Sequence, residues 1–171
     1  MAQFIAGGDN WTGSRTTNTG NNNSNVLNGA SNALERGTNM NRARWYSSST
    51  VLPSGEIYIQ GGSGGTDRPE VRQANGQFRL LSSVNTSGLD YDFPRNFVAP
   101  DGQVFGFDSS GRMYRVNPAG PGSIQSTSVD ASEECAPLVE CARKGSVHPC
   151  LFLRLDGNRD DEAALVVRLA S

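Results

Sequence analysis

The feature that most constrains this 171-residue chain is a strand–turn–strand segment that occurs twice. In the first copy, residues 50–52 and 56–60 have strand character and flank the turn Pro53-Ser54-Gly55. Proline fixes φ at the beginning of such a turn, and glycine supplies a positive φ at its end. The second copy has its turn at Pro100-Asp101-Gly102, so that Gly102 follows Gly55 by 47 residues. The first expectation is therefore a repeated β-hairpin.

Further hairpins extend this pattern to most of the chain up to residue 125. A partial copy, Phe4–Gly8, matches Tyr58–Gly62 at an offset of 54 residues. Asn75-Gly76, a strong hairpin signal, separates two more short strands. A repeat of about 50 residues, built from short strands with Gly-Gly pairs, is typical of a kelch-type β-propeller. We predict an all-β fold, a partial kelch-type β-propeller of about two to three blades; the alternative is a β-sandwich whose hairpins are similar by accident.

The number of blades that residues 1–125 can form indicates whether they are enough for a whole propeller. A propeller needs roughly 4–8 blades, each of about 50 residues. Residues 1–125 are long enough for about two and a half blades of that length. Such a stretch would have open sheet edges and half-covered apolar faces. We therefore expect the chain to be part of a larger protein.

The composition of the chain changes abruptly near residue 125. Residues 1–125 contain 10 Arg and no Lys, Cys or His, whereas residues 126–171 contain all three Cys, the one His and the one Lys. We predict a partial β-propeller over residues 1–125 and an unmatched, irregular or partly helical tail over residues 126–171. Acidic residues 160–162 before the apolar run 163–169 predict a short helix. Two hypotheses for the tail are an out-of-frame sequence and a genuine but unrelated extension.

Other sequence features exclude several classes of protein and site. The chain has 15 Lys+Arg against 17 Asp+Glu, without the basic excess of nucleic-acid binders. No apolar run is long enough to cross a membrane, and the first residues do not resemble a signal peptide. The glycine-rich residues 61–65 lack the spacing of a phosphate loop and are predicted as a flexible loop. The Asn- and Thr-rich run Thr16–Asn32 is predicted as a long mobile loop.

The tail also contains residues that commonly bind metals. They are Cys135, Cys141, His148 and Cys150. Their spacing does not fit a zinc finger, and three cysteines cannot all form disulfides within one chain. We therefore do not predict a metal site in the tail.

Two segments carry a resemblance to a known family. Met40–Gly62, which includes Ala43-Arg44-Trp45-Tyr46 and ends in Gly-Gly, resembles the copper radical oxidases, galactose oxidase and glyoxal oxidase. Phe93–Phe107 resembles the following blade of bacterial galactose-oxidase-like proteins, and the resemblance covers roughly residues 2–122. It implies a copper ion held by two tyrosines and two histidines, a ligand set that suits Cu(II). One tyrosine, cross-linked to a cysteine, stores a radical while an alcohol or aldehyde is oxidised and O₂ is reduced to H₂O₂.

The resemblance assigns roles to two residues of this chain. Tyr46 falls on the cross-linked tyrosine, a metal ligand and catalytic residue; the alternatives are an aromatic residue of the blade core and a tyrosine whose hydroxyl bonds a neighbouring backbone group. Arg95 lies near the family's substrate-binding arginine, and a solvated arginine or a loop ion pair is the alternative. Ser63 lies near the place where galactose oxidase has an indole over the site, so galactose specificity is not implied.

Several family residues have no counterpart in this chain. The cysteine partner of Tyr46 would precede Met1, and residues 1–134 contain no cysteine. The second tyrosine and both histidines come from later blades, whereas His148 is the only histidine of the chain. We therefore expect that one copy of this chain cannot assemble the copper site and binds no copper.

These observations leave two classes of function open. The first is a fragment resembling a copper radical oxidase of primary alcohols or aldehydes, inactive as this chain alone. The alternative is a non-catalytic kelch-like propeller that binds carbohydrate or protein. Expected partners are a carbohydrate, alcohol or aldehyde substrate, with no nucleic acid and no membrane. The resemblance implies an extracellular or periplasmic location, although the chain shows no signal peptide.

Overall fold

The computed structural model describes residues 2–127, 152–154 and 166–168, and these residues form strands, turns and loops without a helix. Short β-branched and aromatic segments between Gly-, Pro- and Asn-containing turns favour this outcome. The strands are β1 (Ala2–Ala6), β2 (Asp9–Trp11), β3 (Thr16–Gly20), β4 (Ser24–Asn28), β5 (Ala33–Arg36), β6 (Trp45–Val51), β7 (Ile57–Ser63), β8 (Glu70–Arg72), β9 (Phe78–Leu80), β10 (Arg95–Val98), β11 (Val104–Phe107), β12 (Met113–Asn117), β13 (Ser123–Thr127), β14 (Phe152–Arg154) and β15 (Val166–Arg168). No helix of the described residues has the length and hydropathy that crossing a membrane requires.

Three antiparallel sheets account for most of residues 2–127. The first sheet has the order β1-β4-β5, with the hairpin β2-β3 inserted between its first two strands. The second sheet has the order β6-β7-β8-β9 and the third has the order β10-β11-β12-β13. Each four-stranded sheet is thus a simple up-and-down meander. The prediction of an all-β, partial β-propeller-like fold is confirmed.

The two copies of the repeated hairpin have the same turn geometry. In the first copy the amide of Leu52 donates a hydrogen bond of 2.8 Å to the carbonyl of Glu56. In the second copy the amide of Ala99 donates a hydrogen bond of 2.8 Å to the backbone carbonyl of Gln103. Gly55 and Gly102 both have φ of 82°. Glycine adopts this left-handed conformation without the steric penalty of a side chain. The repeat seen in the sequence is therefore a repeat of backbone structure.

The main core lies between the second and third sheets. Side chains alternate along a strand between the two faces of a sheet, so each sheet contributes one face. The buried cluster is formed by Leu52, Tyr58, Val71, Leu81, Val84, Val104, Tyr114 and Val116. Complete burial of an aliphatic or aromatic side chain contributes roughly 1.5–3 kcal/mol, so this cluster is a major part of the stability.

A chain of buried polar groups crosses the same core. The Tyr58 hydroxyl donates to Gln60 Oε1 over 2.6 Å, and Gln60 Nε2 donates to the Tyr114 hydroxyl over 2.9 Å. The Tyr114 hydroxyl in turn donates to Asn96 Oδ1 over 2.9 Å. Burial raises the pKa of Tyr58 well above its ordinary value and that of Tyr114 to about 12. Both phenols therefore remain neutral hydrogen-bond donors at physiological pH.

The first and second sheets are in contact through aromatic and cationic groups. The ring centroids of Phe4 and Phe78 are 6.3 Å apart. The Arg72 guanidinium lies 5.4 Å from the Phe4 ring centroid, a cation–π distance. Because Phe4 and Phe78 come from β1 and β9, the three sheets form one stack, in chain order.

Two sequence-based predictions of secondary structure are wrong. Thr16–Asn32, predicted as a mobile loop, contains β3 and β4. The reason is that Val26 and Leu27 of β4 pair with Phe4 and Gln3 of β1, which the local Asn-rich composition does not reveal. The predicted helix is wrong over Val166–Arg168, where β15 pairs with β14. Valine is β-branched and suits a strand, and the rest of residues 160–169 lies outside the described residues.

The chain divides into two units, residues 1–131 and residues 132–171. Within the second unit, the described structure is the antiparallel pair β14-β15. The compositional boundary at residue 125 stays a prediction, as do the out-of-frame and extension hypotheses for the tail. Cys135, Cys141, His148 and Cys150 lie outside the described residues.

Candidate functional site

Tyr46 lies near the beginning of β6, on the edge strand of the second sheet, and its side chain is exposed. It is 43% accessible to solvent, unlike the buried tyrosines 58 and 114. Its ring stacks on the ring of Trp45, with centroids 4.4 Å apart and planes at 22°. On another side the Phe93 ring lies 5.1 Å away at 49°. The interpretation of Tyr46 as a buried core aromatic residue therefore does not hold.

The backbone of Tyr46 is in a strained conformation. Its φ is 69°, in the left-handed region that bulky L-residues avoid. The β6-β7 ladder pairs Trp45 with Ser63 and Ser47 with Gly61, leaving Tyr46 out of the pairing. Instead, the Tyr46 carbonyl accepts a hydrogen bond of 2.8 Å from the amide of Phe93. Strain of this kind concentrates at functional sites, where the surrounding structure maintains it.

The segment before β10 completes this arrangement. The amide of Gly62 donates to the Tyr91 carbonyl over 2.7 Å, and Phe93 itself has φ of 48°. A Cβ atom on Gly61 would lie 2.4 Å from the Tyr91 carbonyl oxygen, far inside van der Waals contact. Only glycine fits at residue 61, so the Gly-Gly pair allows residues 91–93 to approach Tyr46 closely.

A buried arginine two residues before Tyr46 fixes the other side of the site. The Arg44 side chain is fully buried, and its Nη2 lies 2.9 Å from Glu70 Oε1. Arg44 Nη1 donates to the carbonyls of Gly61 (2.7 Å) and Gly65 (3.0 Å). Burial lowers the pKa of Arg44, although the charge of Glu70 and a hydrogen bond to it partly offset that effect. The prediction of a flexible glycine-rich loop over residues 61–65 is thus wrong, because Arg44 binds both ends of this segment.

Arg95 is placed differently from Tyr46. It is the first residue of β10, is exposed, and pairs across the sheet with Phe107. Its guanidinium lies 5.7 Å from the Phe107 ring centroid. The structure therefore brings Tyr46 together with Trp45 and Phe93 and places Arg95 on the outer face of the third sheet. The substrate-binding role of Arg95 stays a prediction.

The aromatic neighbours of Tyr46 were not predicted from the sequence. Trp45 is adjacent in sequence, yet neighbouring residues of a strand normally point to opposite faces. The left-handed φ of Tyr46 breaks that alternation and allows the two rings to stack. Phe93 is brought in by the backbone bond to Tyr46. The only local signal was the Gly61-Gly62 pair, which indicates a close backbone approach without saying what approaches.

The described residues do not fit the copper site that the resemblance implies. Tyr46 supplies one phenol oxygen, and residues 1–134 contain no histidine or cysteine. Among the described residues, no three His, Cys, Asp or Glu side chains are placed to hold one metal ion. One oxygen donor does not make a tetragonal copper site, which needs further nitrogen or oxygen ligands.

Comparison with known proteins supports the fold. No protein-family model matches the chain, and no curated protein matches it. Among solved structures, the chain is similar to a fungal alcohol oxidase with catalytic diversity among the AA5 family, in complex with copper. The TM-score is 0.57 and the sequence identity 24%, over 65% of this chain. The chain spans about a quarter, 26%, of that protein. The resemblance to copper oxidases is thus supported at the level of the fold.

Proposed function

We propose that residues 2–127 are the tyrosine-presenting part of an alcohol- or aldehyde-oxidising copper protein, and that this chain alone is inactive as an oxidase. The observation that carries the proposal is the state of Tyr46: exposed, flanked by two aromatic rings and held with a left-handed backbone. A core tyrosine would need none of these features. The fold-level likeness to a copper-containing alcohol oxidase supports the same reading.

In this proposal the chain's own residues position one phenol oxygen. Phe93 and Trp45 restrict the orientation of the Tyr46 ring by contact. Arg44, held by Glu70, fixes the backbone that precedes it. A copper ion, when bound by a complete set of ligands, supplies the redox chemistry. Rigid positioning of this kind suits a metal ligand because geometry errors weaken coordination. Arg95 as a substrate contact and export from the cytoplasm remain predictions of the resemblance.

The test supplies the missing nitrogen ligands from solution. Cu(II) with excess imidazole is added to the chain, and the phenolate-to-copper charge-transfer absorption is recorded. We expect a band that the Tyr46→Phe variant lacks and the Tyr91→Phe variant keeps. Tyr91 is a matched control, because it is 45% exposed and Tyr46 is 43% exposed. A band of equal strength in Tyr46→Phe would contradict the assignment of Tyr46.

Activity is measured separately on the same samples. With copper but without imidazole, we expect less than one bound copper per chain and no H₂O₂ from galactose or glyoxal. Stoichiometric copper with turnover would show that the chain is an oxidase by itself and overturn the second half of the proposal.

A second candidate function rests on the same exposed rings. Tyr46, Tyr91 and Phe93 are 43%, 45% and 61% exposed and cluster around one backbone junction. Exposed aromatic groups of this kind mark ligand-binding surfaces, and a sugar ring presents a suitable apolar face. Binding of mono- and disaccharides, followed by intrinsic tryptophan fluorescence, would favour this candidate if Phe93→Ala weakens it and Trp11→Ala, which leaves Trp45 as the one tryptophan of the chain, does not.

A further inference from the structure

Two sheet faces at opposite ends of the three-sheet stack carry exposed apolar side chains. The third-sheet open face carries the apolar residues Phe97, Phe105, Phe107 and Met113 together with polar residues Arg95, Arg115, Gln125 and Thr127, which share one side because they are cross-strand partners or two residues apart. Phe97 is 48% exposed, and its ring lies parallel to that of Phe107 at 6.1 Å.

The first-sheet open face carries the apolar residues Ile5, Leu27 and Leu34 together with polar residues Gln3, Asn25 and Arg36, which share one side by the same rule. Ile5 is 45% exposed and Leu34 is 62% exposed. Phe4 points to the other side of this sheet, where it contacts Phe78 of the second sheet. Among the described residues, no sheet covers this face or the third-sheet open face.

The repeat shows what normally covers the third-sheet open face. At the offset of 47 residues, Phe105 corresponds to Tyr58 and Phe107 corresponds to Gln60. Tyr58 and Gln60 are buried in the interface with the third sheet, where Gln60 hydrogen-bonds Tyr114. The third-sheet open face is therefore the side of the repeat that receives the following sheet.

The repeat also shows what covers the first-sheet open face, which corresponds to the other side of the second sheet. At the offset of 54 residues, Ile5 corresponds to Ile59, which is fully buried. Ile59 shares the face of the second sheet that carries Arg72 and Phe78, the residues that contact the first sheet. The first-sheet open face is thus the side of the repeat that packs on a preceding sheet.

The two open faces are the two halves of an interface that the chain already forms twice within itself. We propose that a second copy of this chain docks head-to-tail, with the third-sheet open face of one copy on the first-sheet open face of the next. Burial of the exposed apolar groups drives the association, with Phe97 on one face and Ile5 and Leu34 on the other. The contact is heterologous, so it produces a ring if the rotation between copies closes and an open chain of copies if it does not.

The test blocks each face with a buried charge and then mixes the two variants. Phe97→Glu blocks the third-sheet open face and Leu34→Glu blocks the first-sheet open face. By sedimentation velocity, we expect the wild-type chain to form species larger than a dimer as its concentration rises, and each variant alone to be monomeric. An equimolar mixture should form a dimer and nothing larger, because one intact face of each kind remains.

Control variants distinguish this outcome from nonspecific association and from misfolding. Trp11→Glu changes a residue that is 64% exposed on the β2-β3 hairpin, outside both faces, and should associate like the wild type. Far-ultraviolet circular dichroism checks that each variant is folded, and Phe97→Asn with Leu34→Asn replaces the pair if either glutamate variant is not.

Three results would overturn the proposal. The first is a wild-type chain that remains monomeric at all concentrations. The second is a mixture of folded variants that stays monomeric, which would exclude a complementary pair of faces. The third is association that Phe97→Glu abolishes and Leu34→Glu does not affect, which would indicate a symmetric contact between two third-sheet faces.

Discussion

The amide of Phe93 donates a hydrogen bond of 2.8 Å to the carbonyl of Tyr46, and both residues have left-handed backbone conformations, with φ of 48° and 69°. Each aromatic residue is thus in a conformation that it would avoid in an isolated peptide. The shared bond and the contact of the two rings compensate for part of this strain. The junction therefore depends on both residues together.

The strain at Phe93 gives the first prediction. Replacing Phe93 with alanine removes the ring but keeps a side chain at positive φ, whereas glycine removes both. We expect Phe93→Gly to be more stable than Phe93→Ala by about 1 kcal/mol in urea unfolding. This order is the reverse of the usual one in regular structure, where glycine is the less stable residue.

A control for that comparison is available on β6. Val51 is 66% exposed on a strand, and its φ is not positive. There the alanine variant should be more stable than the glycine variant. The same order at residues 51 and 93 would contradict a strained backbone at Phe93.

The close approach at Gly61 gives the second prediction. Gly61→Ala would force a Cβ against the Tyr91 carbonyl and Pro94 Cγ, at 2.4 and 2.5 Å. Gly55 has a similar φ of 82° but nothing within 4 Å of an added Cβ. We expect Gly55→Ala to reduce the free energy of unfolding by about 1 kcal/mol, and Gly61→Ala by roughly 2 kcal/mol more because of the added clash. Equal losses in thermal or urea unfolding would show that the packing at Gly61 can relax.

The ion pair of Arg44 and Glu70 gives the third prediction. Both side chains are fully buried, so removal of one charge leaves the other unpaired in the interior. We expect Glu70→Gln to destabilise the chain by about 3 kcal/mol. The loss in Arg44→Met/Glu70→Gln should be smaller than the sum of the two single losses, because the uncompensated charge is then absent. Additive losses in a urea double-mutant cycle would argue against a tight coupling of the pair.

The buried hydroxyl of Tyr114 gives a prediction for alkaline pH. Burial raises the pKa of Tyr114 to about 12 in the folded chain, whereas an unfolded tyrosine titrates near pH 10. The unfolded state therefore releases this proton first, and stability falls as the pH rises from about 10 to about 12. The shift corresponds to about 2 to 3 kcal/mol.

The variant for this test is Tyr114→Phe. At pH 7 it should be less stable than the wild type, because Gln60 and Asn96 each lose a hydrogen-bond partner. Between pH 10 and 12 the difference should shrink, since the variant lacks the titrating hydroxyl. A constant difference in urea unfolding over this range would contradict the raised pKa of Tyr114.

The repeated elements of the fold could be predicted because their signals are local. Pro-x-Gly turns at residues 53–55 and 100–102 impose their own geometry, and the structure shows it twice. The strand β4 could not be predicted, because its Val26 and Leu27 are strand-forming only through pairing with β1. Strand propensity depends strongly on such partners.

The sequence was enough to predict Tyr46 as a site residue, but it did not predict how the neighbouring side chains are arranged around Tyr46. A resemblance was enough to single out Tyr46, but the contact with Phe93 joins residues that are 47 positions apart. A left-handed aromatic residue has no sequence signal, because glycine and asparagine are the residues expected there. Arg44 was likewise named only as part of a motif, although its five hydrogen-bonding groups make it the main buried polar anchor of the site.

The polar chain Tyr58–Gln60–Tyr114–Asn96 has a consequence for how the blades align. Sliding the third sheet along the second by one residue would separate Gln60 from Tyr114, whose buried hydrogen bond is the link of this chain that crosses between the two sheets, at a cost of about 1–3 kcal/mol for each group left unpaired. Contacts between apolar side chains alone would tolerate such a shift, because one aliphatic group can take the place of another. The buried bond between Gln60 and Tyr114 therefore selects one register of these two sheets over the neighbouring registers.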